Sequence, residues 1–188
     1  VPCETTDKLL IFASDGRFFT LGVDKLPSAR GHGEPLSLMV DFEEGTKVLA
    51  VLAHKPGRKL LLASKAGYGF VLPEEEALAS RRAGKQVLNG EPLACLKVEG
   101  DQLAVIGDNQ KVLVFPVSEL PEMPRGKGVK LQSYKDGGLR DAAVFSGEAA
   151  PEYVDASGRR RAWNDWKDWA GKRAQAGRPA PKTMRRFR

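Results

Sequence analysis

Three stretches of this chain repeat one pattern, an apolar run, a polar turn and a second apolar run, and this recurrence constrains the fold more than any single motif. They are LLIFASDGRFFTL at 9–21, LLLASKAGYGFVL at 60–72 and LAVIGDNQKVLVF at 103–115. Each reads as a β-hairpin, with Asp15-Gly16 and Asp108-Asn109 supplying turn residues that tolerate positive φ. Matching positions are 50 residues apart from Ser14 to Ser64 and 43 apart from Ser64 to Gly107. A period of about 40–50 residues is that of a four-stranded propeller blade. Helical repeats of similar length are disfavoured, because the apolar runs are short and Gly and Pro interrupt them at strand spacing. One exception is expected after Pro73, where Glu74-Glu75-Glu76-Ala77-Leu78-Ala79 suits a helical turn with acidic residues at its start.

The likeness continues beyond the hairpins. Leu26-Pro27 leads to Arg30-Gly31-His32-Gly33, Leu78 leads to Arg81-Arg82-Ala83-Gly84-Lys85, and Leu120-Pro121 leads to Arg125-Gly126-Lys127-Gly128. A further apolar strand is expected to start after each basic turn, at Leu36–Val40, Val87–Leu88 and Val129–Leu131. The expected architecture is all-β, with three four-stranded blades at about 1–50, 51–94 and 95–145. Residues 146–188 differ in kind. They hold Ser157-Gly158, the cluster Arg159–Arg161, tryptophans at 163, 166 and 169, and a basic end rich in Pro and Arg. This segment reads as a basic tail, extended and partly mobile at its end, that would complete a last partial blade.

Charge placement says more than its total. Residues 1–145 carry 19 basic and 19 acidic side chains, and residues 146–188 carry 11 and 5, so the whole excess of +6 lies in the last stretch. A neutral body still binds an anion if its charges are sorted onto separate faces. No run approaches the ~18 apolar residues of a membrane span, and the start lacks the basic-then-apolar layout of a secretory signal. That start, without Met and directly before a strand-like run, is expected of a fragment of a longer protein. Cys3 and Cys95 form no CxxC and each sits in an apolar stretch, which fits free thiols in a reducing cytoplasm.

Several segments resemble the C-terminal region of type IIA topoisomerase A subunits, and topoisomerase IV in particular. They are LPSARGHGEPL at 26–36, LLASKAGYGFV at 61–71, and FPVSELP at 115–121 followed by Arg125-Gly126-Lys127-Gly128. Together these matches span roughly residues 8–145, and three in order are far more specific than a lone glycine motif. The resemblance implies a β-pinwheel, a propeller-like disc whose blades exchange strands, with DNA bending around its rim. With three repeats and a tail, a partial or open disc is expected. The related gyrase protein carries a Gln-Arg-Arg-Gly-Gly-Lys-Gly box used in wrapping DNA. Ala29–Gly33, Ser80–Lys85 and Pro124–Gly128 occupy comparable places without forming a full box, which favours topoisomerase IV over a gyrase-type wrapping domain. The resemblance further implies duplex DNA, the topoisomerase IV B subunit and a second A subunit as partners, and a cytoplasmic, nucleoid-associated protein. It implies no cofactor in this fragment, with Mg and ATP used by other domains and by the B subunit.

Phosphates dominate DNA affinity, so cations presented along one edge are the chemistry required. The candidates are Arg30, His32, Lys55, Arg58, Lys59, Arg81, Arg82, Lys85, Arg125, Lys127, Lys130, Arg159, Arg160 and Arg161. Glycine beside a cation lets backbone N–H groups and charge approach a phosphate together. A single such turn is equally well a solvated turn, and recurrence at equivalent blade positions tips the reading toward DNA. No base-reading element stands out, so sequence-tolerant, salt-sensitive binding is expected. A second reading is a protein-interaction propeller that docks a chromosome-segregation partner, motivated by the acidic stretches Glu43-Glu44 and Glu74–Glu76. The tryptophan series fits packing against the last blade better than base stacking. Tyr68, in an apolar strand beside two glycines, is structural and not a nucleophile; no catalytic residue is identified. His32 and His54 with two distant cysteines make no zinc pattern.

Overall fold

A computed structural model describes residues 8–22, 44–81, 83–135, 137–149 and 151–187. The apolar runs that mark the repeats become the central strands of successive sheets. Residues 10–13, 60–63 and 103–106 are at most 1% exposed, with no in–out alternation. Consecutive burial means that both faces of each sheet are covered.

The first sheet contains the hairpin β1 (Lys8–Ala13) and β2 (Arg17–Gly22) with β3 (Val48–Ala53) beside β1. The second contains β4 (Lys59–Ser64), β5 (Tyr68–Pro73) and β7 (Pro92–Lys97), with β6 (Lys85–Gln86) falling between them in sequence. The third contains β8 (Gln102–Gly107), β9 (Lys111–Pro116) and β11 (Leu139–Phe145), with β10 (Val129–Lys130) in between. A fourth contains β12 (Glu152–Asp155), β13 (Arg160–Ala162) and β15 (Met184–Arg186), with β14 (Arg178–Pro179) in between.

The intervening short strands do not join their own sheets. The sheet orders are β3-β1-β2-β6, β10-β5-β4-β7, β11-β8-β9-β14 and β13-β12-β15. Each of the first three blades thus takes its outer strand from the unit that follows it, which is the strand exchange of a β-pinwheel. The fourth sheet has three strands, and β13 pairs only with β12 among the described residues. Among the described residues the array is therefore open. Arginines on this last edge discourage pairing with another strand.

Among the described residues three apolar cores fill the spaces between four blades. Leu10, Phe12 and Phe18 of the first blade meet Leu60, Leu62 and Phe70 of the second. The alternate residues Leu61, Ala63 and Val71 turn the other way, onto Leu103, Val105 and Phe115 of the third. Ala104, Ile106 and Val114 then meet Tyr153, Trp163, Trp166 and Phe187. One strand feeding two cores is what holds the blades in series. β7 lies beside both β3 and β11, so these last strands converge at the axis and the exchanged strands β6, β10 and β14 lie at the rim.

The fold departs from the sequence reading in three ways. The described residues of 146–188 hold a three-stranded fourth sheet whose end, expected to be extended and partly mobile, is paired as β15, with Trp163 and Trp166 anchoring it at 1% and 8% exposure. Val87–Leu88 follows the exchanged strand β6 (Lys85–Gln86), the strand expected at Val129–Leu131 is the exchanged strand β10 (Val129–Lys130), and the true last strands begin at Pro92 and Leu139. Boundaries at 50/51 and 94/95 therefore cut through β3 and β7. The turn after Pro73 forms as a 3-10 turn over Glu74–Ala77. The segment Leu36–Val40 lies outside the described residues.

Candidate nucleic-acid interface

Each rim strand is seated by the same local device. Gly84, Gly128 and Gly177 stand immediately before β6, β10 and β14, with φ of +79°, +85° and +84°. A Cβ at these positions would meet the carbonyl oxygens of Phe18, Gly69 and Val112 at 2.8, 2.2 and 2.3 Å. Those three residues are the very ones that pair with Lys85, Val129 and Arg178. Only glycine allows both the left-handed backbone and this close approach. The far end of each strand is clipped to a hairpin turn: Leu88 N–H donates to Gly16 O, Leu131 N–H to Gly67 O, and Ala180 N–H to Gln110 O.

Successive basic turns are also joined to one another. Gly126 N–H donates to Val87 O at 2.8 Å, and Ala174 N–H donates to Leu131 O at 3.0 Å. Gly126 and Ala174 both adopt positive φ, at +135° and +71°. Arg173-Ala174 thus stands in the third exchange where Arg125-Gly126 stands in the second. The structure brings Arg81, Arg125 and Lys127, and then Lys172, Arg173 and Arg178, to one rim through three consecutive exchanges.

The free charge on this rim is not uniform. Arg81, Arg125, Lys172 and Arg178 are exposed, and their side chains make no hydrogen bond or ion pair among the described residues. Lys127 is exposed, and its Nζ lies over the Tyr68 ring, 4.0 Å from the ring centre. Lys130 is exposed, and its carbonyl accepts from the Arg173 guanidinium at 2.8 Å. Lys85 instead bonds the Glu76 carbonyl at 2.7 Å and its carboxylate at 3.4 Å.

The loop Lys55–Lys59 is organised by an acid. Glu74 is fully buried and accepts from His54 Nδ1 at 2.7 Å, Lys55 N–H at 2.5 Å and Arg58 Nε at 2.6 Å. Gly57 N–H holds the Glu75 carboxyl below the usual carboxylate range. Arg58 is thereby neutralised within the fold, and Lys59 pairs with Glu122. Lys55 alone in this loop presents an unpaired cation among the described residues. Glu74 is completely buried, so it is not available to the acidic stretch Glu74–Glu76 on which the protein-docking reading draws.

On the fourth blade Arg161 is bound to Asp155 at 2.6 Å, and Arg160 lies 3.9 Å from Glu152. Arg161, then the Ser157 hydroxyl and the Arg159 N–H, hold Asp155 well below the usual carboxylate range. Arg159 is exposed. Arg30, His32 and Arg82 lie outside the described residues. Sequence reasoning missed Lys172, Arg173 and Arg178. The signal was present as a basic pair, a spacer and Gly177, but Ala174 replaces the first glycine of the repeated turn.

Known proteins place this arrangement. The DNA gyrase C-terminal domain β-propeller family matches residues 7–55, 58–90 and 101–144. The chain is 63% identical over 194 residues to the A subunit of DNA topoisomerase 4 from Caulobacter vibrioides, covering 100% of this chain and 26% of that protein. It is 39% identical over 134 residues to the Escherichia coli counterpart, covering 68% of this chain and 18% of that protein. It thus spans about a quarter or less of the length of these relatives. Among solved structures, the E. coli ParC C-terminal domain is similar with a TM-score of 0.87 at 28% identity, over 98% of this chain and 81% of that one. The chain therefore belongs to the gyrase A C-terminal β-propeller family, as a β-pinwheel of the kind found in the A subunits of topoisomerase IV.

Proposed function

We propose that this domain binds and bends duplex DNA along its outer rim, guiding the transported segment for decatenation and relaxation by a topoisomerase IV. The observation that carries the reading is the serial placement of basic turns. Three consecutive rim strands are seated by the same positive-φ glycine and preceded by exposed cations at Arg81, at Arg125 and Lys127, and at Lys172. Spacing cations along a curved edge suits a bent phosphate backbone, and the rim turns offer charge rather than a base-reading element. An open array of four blades suits guiding a DNA path better than closing a full wrap.

In this reading the domain holds no cofactor. The parent enzyme uses Mg and ATP through other domains and its B subunit, as a heterotetramer with a second A subunit, in the cytoplasm at the nucleoid. The test is duplex binding by fluorescence anisotropy across a salt series. Reversing Arg125, Lys127 and Lys172 to Glu should abolish binding at moderate salt. Each lost phosphate contact should lower the log–log salt slope by about 0.9. Unchanged affinity and slope in the triple variant would refute the rim.

A further inference from the structure

A second cationic surface lies apart from the basic rim turns, beyond the far end of β14. Between the hairpin turns of the third and fourth blades is a cleft of about 840 Å³ lined by Gln110, Arg140, Asp141, Lys182, Arg185 and Arg186, among others. It shares no residue with the rim turns. Gln110 and Ala156 at its edge belong to hairpin turns, while Arg140, Arg185 and Arg186 come from β11 and β15, the last strands of their blades. The cleft therefore opens on the flat face of the disc.

Its charge is unbalanced by construction. Four cations line it against one carboxylate, Asp141, which is 6% exposed and accepts from the N–H groups of Phe187 at 2.9 Å and Ala142 at 2.8 Å. Lys182, Arg185 and Arg186 have no ion pair among the described residues, and Arg140 stands 3.9 Å from Asp108. Side chains of one sign brought together in a concave site repel each other unless an anion joins them. The bond between Asp141 and Phe187 N–H fixes the end of β15, so the arginines are held on a strand and not on a loose end. Three guanidiniums offer planar donor forks suited to tetrahedral oxyanions. The volume admits several linked groups, not one carboxylate.

We propose that this cleft is a phosphate-binding site for closely linked phosphates, either the backbone of a nucleic-acid strand or the chain of a small polyphosphate. It stands independently of the rim reading. The test titrates the full chain with inorganic tripolyphosphate at low salt, by calorimetry and by amide NMR. Saturable single-site binding is expected, with shifts at Gln110, Arg185 and Arg186. The double variant R185Q/R186Q, on exposed positions, should weaken it by about tenfold or more. The rim variant R125Q/K127Q should leave it unchanged. Loss of tryptophan near-UV signal would reveal a misfolded variant, in which case R140Q, on β11, gives the same reading from the other wall. A short duplex that displaces tripolyphosphate identifies a strand backbone as the source, and one that does not identifies a small polyphosphate. Non-saturable binding, equal loss in the rim variant, or a poly-glutamate peptide binding as tightly as tripolyphosphate would each overturn the proposal.

Discussion

Replacing Gly128 by Ala tests the seating of the exchanged strands directly. Gly128 has φ +85°, and a Cβ there would lie 2.2 Å from Gly69 O and 2.4 Å from Gly69 C. Both are backbone atoms in a strand buried between blades, so neither yields as a flexible side chain would. The left-handed backbone alone costs a non-glycine residue about 1–2 kcal/mol. Relieving the contact requires β10 to move by roughly an ångström, which breaks its two-residue pairing with β5 and the Leu131 N–H bond to Gly67 O. At about 1 kcal/mol for each of two lost bonds, the total is about 3–4 kcal/mol. Gly57 is the matched control, because it has φ +78° but a Cβ there would meet nothing within 4 Å. Gly57→Ala should cost only the backbone part, about 1–2 kcal/mol. For a chain of this size the difference of about 2 kcal/mol is about 4–8 °C in Tm. Thermal melts of the two variants, with hydrogen exchange at the Val129 and Leu131 amides, make the comparison. Equal destabilisation by the two substitutions, or undiminished protection at Leu131 in Gly128→Ala, would refute the seating role.

Other consequences follow from buried groups. Glu74→Ala leaves Arg58 and His54 without their acid in a site where Arg58 is 11% exposed, and should cost about 3 kcal/mol or more by denaturant titration. Trp163 is 1% exposed and stacks on Phe187 with ring centres 5.8 Å apart. Trp163→Ala should therefore cost about 3–5 kcal/mol and release the fourth blade first, seen as early exchange of the β12 amides. Asp155 is held ionised by Arg161, so its folded-state pKa lies below its unfolded value. Its contribution is whole above about pH 4 and is lost as pH falls through the folded-state pKa. Melting curves of wild type and Asp155→Asn should be most separated above that pH and converge in stronger acid.

Much of the blade was legible locally. The hairpins at 9–21, 60–72 and 103–115 are short-range structures whose apolar runs and turn residues lie within a few positions of each other. The fourth hairpin escaped notice because its second strand, Arg160–Ala162, is exposed throughout and carries no apolar pattern. The rim turns at Arg81 and Arg125 were legible as basic-glycine stretches, whereas the turn at Arg173 was not, since Ala174 takes the left-handed role of a glycine.

By itself the sequence determined the repeat, the all-β class and the hairpins, because turn chemistry and strand patterning act over neighbouring residues. Tertiary structure alone decided which blade each rim strand joins and which cations remain available. Lys85 joins Phe18 across 67 positions, and Val129 joins Gly69 across 60. Arg58 is neutralised by Glu74, 16 residues away, and Lys59 by Glu122, while Arg125 stays unpaired among the described residues. A cation's availability depends on which carboxylate the fold brings beside it, and that is fixed by packing between blades rather than by composition or local order.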